Sequence, residues 1–236
     1  MPAVAPNGGG TTGDDARADC SSDGLGGGAG CPRSRPVLAC DVMNARDLGG
    51  VPLGGGDSVA CGVLFRGPPL GSLSASGCAD AAALGLRTLI DLRTDAERAA
   101  LPDEACVGAA VVAAPLPIPF DVDTTDYLAD FDTDPSIALV FHTLASADAY
   151  PVYFHCTFGR DRTGIVAATV LLALGASRDD VLAEYALSAL TVGAYPQSLE
   201  GLLDAIAARG GVAAALLAKG VSPADLAALR EHVIAH

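Results

Sequence analysis

Val152-Tyr153-Phe154-His155-Cys156-Thr157-Phe158-Gly159-Arg160-Asp161-Arg162-Thr163-Gly164 is the stretch on which the reading of this chain turns. It opens with three apolar residues, too few for a helix and suited to a buried strand. A short loop follows, and from Thr163 to Leu174 the apolar run is long enough for a helix that Gly175 stops. A strand–loop–helix joint of this kind puts the loop at a helix N-terminus. Unpaired backbone N–H groups and the positive end of the helix dipole there attract an oxyanion. The same field favours a thiolate, which makes Cys156 a candidate nucleophile. Gly159 lets the backbone curl so that successive N–H groups point inward. Arg162, six residues after Cys156, can close the loop and grip two oxygens with its planar fork. The Thr163 hydroxyl is expected to bond the sulfur and help it leave. Thr157, Phe158, Gly159, Arg160, Asp161 and Thr163 are the expected anion-binding residues. An inert buried cysteine would explain the strand and the helix, but not two arginines and an aspartate beside it.

Outward from this loop the chain alternates short strands and helices. Val63-Leu64-Phe65, Thr88-Leu89-Ile90 and Val111-Val112 read as strands, the second suited to the centre of a sheet. Ser74 is placed to cap a helix that runs to Leu84 and ends at Gly85. Thr94 with Glu97 three residues on has the form of a capping box, as does Ser177 with Asp180. Ser222-Pro223 starts the last helix. The prolines at 115, 117 and 119 force an extended loop into an acidic stretch, Asp121 to Asp134. Such alternation predicts an α/β domain whose central, mostly parallel sheet is flanked by helices. Residues 1–36, rich in Gly, Ala, Asp and Ser, lack the large apolar side chains a core needs and read as a disordered tail, leaving 37–236 as the folded domain.

Composition narrows the function. Half of the 236 residues are apolar, and the formal net charge is −14. A field this acidic repels nucleic acid and anionic lipid, so an anionic substrate must be captured by a focused site. No apolar run approaches the ~20 residues that span a bilayer, and no signal-peptide profile opens the chain. As written it reads as cytoplasmic. Seven cysteines pull the other way: six besides Cys156 suit either disulfides in an exported protein or small buried apolar residues. Cys20-Ser21-Ser22-Asp23-Gly24 resembles a lipoprotein tether whose leader would lie upstream. No CxxC pair or histidine spacing points to zinc. His155 is expected to fix the loop by hydrogen bonding, and Arg46, Asp47, Asp91, Arg93 and Glu97 to form one polar network supporting it.

The loop resembles that of the protein tyrosine phosphatase superfamily, in particular the bacterial branch with an HCxxGKDRTG loop that acts on phosphotyrosine and phosphoinositides. Asn44-Ala45-Arg46-Asp47-Leu48-Gly49-Gly50 is similar to that branch's N-F-R-D-L-G-G opening. Leu64-Phe65-Arg66 resembles its L-[FY]-R-S segment, with Gly67 where Ser is usual. Asp91-Leu92-Arg93-Thr94 with Glu97 is similar to its D-L-R-S-x-x-E element, and Gly220-Val221-Ser222, Leu226 and Leu229-Arg230 to its end. The resemblance implies the cysteine-phosphatase fold, a phosphorylated protein or a phosphoinositide as substrate, and no cofactor. It implies phosphoryl transfer to Cys156, with Asp121 as general acid by its place after the proline-rich strand end and Asp123 and Asp126 as alternatives. Arg160 stands where the branch has the lysine tied to activity on inositol lipids. A catalytically silent phosphate binder and a sulfur-transfer or arsenate-reducing enzyme are the rival readings. The intact Cys156 and Arg162 oppose the first, and the full loop with its matching N-terminal elements opposes the second.

Overall fold

Three strands buried on both faces build the platform for the loop. The computed structural model describes residues 32–34, 36–38, 41–103, 105–116, 127–133 and 135–235. The central strand β6 (Val152–His155) lies between β3 (Leu64–Gly67) and β4 (Thr88–Asp91), parallel to both. β1 (Arg46–Asp47) extends the sheet antiparallel to β3, and β5 (Ala110–Ala113) extends it parallel to β4. The sheet order is therefore β1-β3-β6-β4-β5, parallel in all but one pairing. A separate two-residue ladder joins β2 (Ser58–Val59) to β7 (Ile234–Ala235).

The register explains why the strand sequences read as continuous apolar runs. Phe65, Tyr153 and Leu89 are partners across β3, β6 and β4, and they belong to a core with Leu84 and Leu86. Leu64, Ile90 and Phe154 belong to the larger core, which also holds most of α5 (Asp161–Leu174). Side chains alternate between the two faces, and both faces are covered. β5 is an edge strand with Val111 exposed, the usual exception at the side of a sheet.

Helix ends follow the cap chemistry. Ser74 accepts from Gly77 N at the start of α1 (Ala75–Ala83), and Gly85 follows with φ 62°. Thr94 and Glu97 form a full capping box on α2 (Asp95–Ala100), and Ser222 and Asp225 one on α9 (Pro223–Val233). At α6 (Arg178–Ala186) Ser177 accepts from Asp180 N, but the Asp180 carboxylate takes the Ser177 hydroxyl, not its backbone N–H. That carboxylate also faces Arg33, at 3.0 Å. Gly175, at φ 103°, ends α5, and Arg230 donates to the last carbonyls of that helix, Ala173 O and Leu174 O. A cation at the negative end of the dipole thus ties α9 to α5.

Of the segment 1–36, residues 32–34 and 36 are described and lie against the domain. Ser34 is buried with its N–H on Gly49 O, and Pro36 bridges to Arg46. The cysteines are not simply small core residues. Cys78 and Cys106 form a disulfide and Cys61 is disulfide-bonded, whereas Cys156 is free. Cys20, Cys31 and Cys40 lie outside the described residues. Among the described residues, no helix is long and apolar enough to cross a membrane.

Candidate active site

β6 ends at His155, paired with Gly67 on one side and Asp91 on the other. Cys156 leaves the carboxyl end of this central strand, where open α/β sheets bind ligands. The helix begins two residues earlier than its apolar pattern predicts, at Asp161. Arg162 therefore belongs to the first turn of α5, and Asp161 places a carboxylate at the positive end of that helix. The N–H groups of Thr157, Phe158, Gly159 and Arg160 donate to no partner among the described residues. A phosphate is the ligand that four such donors suit. Gly159 has φ 65°, and a Cβ there would lie 2.3 Å from the Gly67 carbonyl carbon. Both the turn and the close approach to β3 exclude a side chain.

Arg162 is held by a residue whose sequence signal is that of a helix cap. Glu97 accepts from Arg162 Nη1 and Nη2, both at 2.7 Å. Thr157 Oγ1 donates to Glu97 Oε1 at 2.6 Å and accepts from Arg162 Nη2. One carboxylate thus closes the capping box of α2 and orients the arginine fork from its rear. The bonds from Arg162 first, then those from Thr157 and the Thr94 N–H, hold Glu97 well below the usual carboxylate range, against the opposing effect of burial. Arg162 is raised in turn: burial works against its charge, but Glu97, Cys156 and Asp161 outweigh that.

A second group lies beneath the loop. Glu184, on α6, accepts from Arg46 Nε and Arg66 Nη1, each at 2.6 Å, and all three side chains are buried. Arg66 Nη2 donates to Gly159 O at 2.7 Å, and Asn44 Nδ2 to Phe158 O and Gly159 O at 3.0 and 3.2 Å. Burial and the neighbouring Arg46 lower Arg66 to about 10, still far above neutrality. Two guanidinium groups against one carboxylate leave a net positive charge under the loop.

The third group surrounds His155. Arg93 donates to both Asp91 oxygens and to Asp103 Oδ2. His155 is fully buried between the two carboxylates, 3.9 Å from Asp91 and 3.4 Å from Asp103, with neither ring nitrogen in a hydrogen bond. The expected bond from His155 to the loop is therefore not made: the ring lies beside Tyr153, which shares its face of β6, and between the two carboxylates. Asp91, Asp103 and His155 are close enough to share a cation, but the Arg93 guanidinium already supplies that charge. The residues expected to form one network thus separate into three groups. Asp47 accepts from Gly49 N and Gly62 N.

The remaining loop side chains differ in exposure. Arg160 bonds Asp161, donates to Val192 O at 2.7 Å, and lies 4.3 Å from the Tyr195 ring. Asp161 also accepts from Tyr127 OH, on α3 (Tyr127–Thr133), at 2.7 Å. Phe158 is exposed. Thr163 Oγ1 is buried without a hydrogen-bond partner and makes no bond to Cys156 in this arrangement. Asp121, Asp123 and Asp126 lie outside the described residues. Glu184 and Asn44 are site side chains that the loop sequence does not announce. The signal for Glu184 is its spacing: Val181, Glu184, Tyr185 and Ser188 recur at i, i+3, i+4 and i+7, a core-facing stripe that carries one charge.

A Cupriavidus necator protein that bears the name tyrosine-protein phosphatase is 33% identical over 174 residues, which are 65% of this chain and 63% of that protein. A Nostoc commune tyrosine-protein phosphatase is 33% identical over 72 residues, 30% of this chain and 24% of that protein. The aligned part thus spans less than two thirds of either relative. Among solved structures, P. aeruginosa TpbA in complex with pTyr shares 22% identity at a TM-score of 0.42, covering 70% of this chain and 91% of that one. The core catalytic domain of the S. cerevisiae PP-IP phosphatase SIW14, in complex with citrate, shares 14% at a TM-score of 0.41, covering 64% and 91%. The profile of the tyrosine phosphatase family matches residues 39–235, nearly the whole of the described domain, and the chain belongs to that family.

Proposed function

We propose that this protein is a cysteine-dependent phosphatase that hydrolyses phosphate monoesters through a phosphocysteine intermediate, with phosphotyrosine as its first substrate class. The observation that carries this reading is the free thiol of Cys156 at the joint of β6 and α5, beside an Arg162 oriented from behind by Glu97. In the first step the Cys156 sulfur attacks phosphorus. The bond from phosphorus to the ester oxygen breaks, and Asp121 gives that oxygen its proton. Arg162 and the loop N–H groups hold the equatorial oxygens as charge builds on them. In the second step water attacks the phosphocysteine, Asp121 takes the proton, and the S–P bond breaks to release inorganic phosphate and the thiolate. Each step uses groups of the chain itself. The geometry of Arg160 favours phosphotyrosine over a multiply phosphorylated inositol lipid, since its Nε and Nη1 are committed to Asp161 and Val192 O.

The test is to mix the protein with a radiolabelled aryl phosphate, quench in acid, and map the label. A phosphorylated peptide containing Cys156 is the expected result. Steady release of phosphate with no label on that peptide, under conditions where phosphocysteine survives, would overturn the covalent route.

Glu97→Gln provides a second test. The amide can hold only one edge of the Arg162 fork, so kcat is expected to fall about 10²-fold with a much smaller change in KM. The folded-state carboxyl is lowered, so its contribution to stability is complete above the ordinary carboxylate range and is lost as pH falls through the lowered value. The stability gap between the two proteins, read by urea unfolding, is therefore expected to narrow from pH 7 towards pH 2. A constant gap across that range would remove Glu97 from the pH dependence.

A further inference from the structure

Beside the catalytic loop lies a mostly apolar groove of about 440 Å³, between the segment that holds Val42, Met43 and Ala45 and the turn after α6 that holds Leu187 and Leu190. We propose that this groove is a substrate subsite that takes a large apolar side chain near the phosphorylated residue of a polypeptide, a deepening that rests on the phosphatase reading.

Both walls are tied to the loop. On the first, Asn44 bonds the carbonyls of Phe158 and Gly159. On the second, Val192, two residues beyond Leu190, accepts from Arg160, and Ser188 accepts from Arg46. The groove therefore borders the residues that hold the catalytic loop, with Asn44 both in its lining and bonded to that loop. Met43 is 65% exposed and Leu190 81%, and Phe158 is the exposed side chain of the loop itself. Large apolar side chains are seldom left in water as a cluster beside a polar site unless something covers them. The volume lies in the range that takes a ligand group, roughly 300–1,000 Å³. An extended peptide advances about 3.5 Å per residue, so a side chain one to three positions from the phosphorylated residue can reach a pocket bordering the loop. The occupant is a polypeptide and not an anionic lipid surface, because a chain of net charge −14 repels such a surface.

The test compares phosphotyrosyl peptides with Leu, Gly or Asp scanned over the three positions on either side of the phosphotyrosine. The proteins are the full native chain, Leu190→Asp and Met43→Asp, with p-nitrophenyl phosphate as a probe too small to reach the groove. At one or more positions Leu is expected to raise kcat/KM at least about tenfold over Gly, chiefly through KM, the effect of burying one such side chain. Both variants are expected to lose that preference while hydrolysing p-nitrophenyl phosphate at the native rate. No preference for Leu at any position, or a preference that both variants keep, would overturn the subsite. So would variants that lose activity on phosphoinositide vesicles but keep the peptide preference, since the groove would then serve a lipid. If the native chain fails on p-nitrophenyl phosphate itself, the phosphatase reading falls. If it turns that probe over without a flank preference, the subsite alone falls.

Discussion

Cys156→Ser is expected to lower turnover of p-nitrophenyl phosphate by about 10⁴-fold or more while leaving the fold and phosphate binding in place. The serine hydroxyl keeps the connectivity of the thiol and is smaller, so it fits the buried position of Cys156 without overpacking and leaves only a small gap. Chemistry is another matter. A serine hydroxyl stays protonated near neutrality and is a far poorer nucleophile than a cysteine sulfur. The variant is expected to bind an aryl phosphate without consuming it, since Arg162 and the loop N–H groups remain. Steady-state rates, with calorimetric titration of the unturned substrate, check both halves. Turnover within tenfold of native would mean that Cys156 is not the nucleophile, and the proposed mechanism would fall with it. The assay needs a reductant mild enough to keep Cys156 free without opening the disulfides at Cys61 and at Cys78–Cys106.

The second large effect is on stability. Glu184→Gln is expected to cost about 3–5 kcal/mol, the range for breaking a buried ion pair while leaving its partners behind. Glu184 is 1% exposed and neutralises two buried guanidinium groups, Arg46 and Arg66. A neutral amide of the same shape keeps the volume and removes the charge, so two cations face each other without compensation. Burial opposes ionisation of Glu184, but Arg46 and Arg66 outweigh it and lower the carboxyl. Its contribution is thus fully present above the ordinary carboxylate range and is lost as pH falls through the lowered value, so the gap between the two proteins is expected to close in acid. Equilibrium urea unfolding at pH 7 and pH 3 measures both. A difference under about 1 kcal/mol at pH 7 would mean that the charge of Glu184 does not hold the two arginines. Activity is expected to fall with stability, because Arg66 carries Gly159 O and the substitution frees Arg66 to move.

The two effects differ in how readily they are read from the chain. Cys156, Gly159 and Arg162 declare themselves because an apolar strand, a loop glycine and an apolar helix occur in order within a few residues. Glu184 does not. In α6 it follows Asp179 and Asp180 and resembles another surface acid until the spacing of Val181, Tyr185 and Ser188 puts it on the core side. Glu97 lies between these extremes. Its position three residues after Thr94 identifies the cap correctly, yet the same carboxylate has a second duty that a cap does not announce. His155 runs the other way: its place before Cys156 suggests a bond to the loop, but the alternation of β6 puts its ring on the Tyr153 face, between Asp91 and Asp103.

What the sequence by itself determined is what local rules govern: the strand and helix on either side of Cys156, the caps at Ser74, Thr94 and Ser222, the stop at Gly175, and the largely parallel α/β class. These depend on neighbours within about one turn or one strand, where periodicity, cap geometry and glycine conformation act directly. What only the tertiary structure decided is which charges meet. Arg162 and Glu97 are 65 residues apart, Arg66 and Glu184 118, and Asn44 and Gly159 115. Those pairs form because the β3-β6-β4 register brings Gly67, His155 and Asp91 level at one end of the sheet and because α6 packs against α5. A buried charge can be met by any opposite charge that the packed core brings within reach, so composition names the candidates and the sheet register selects among them.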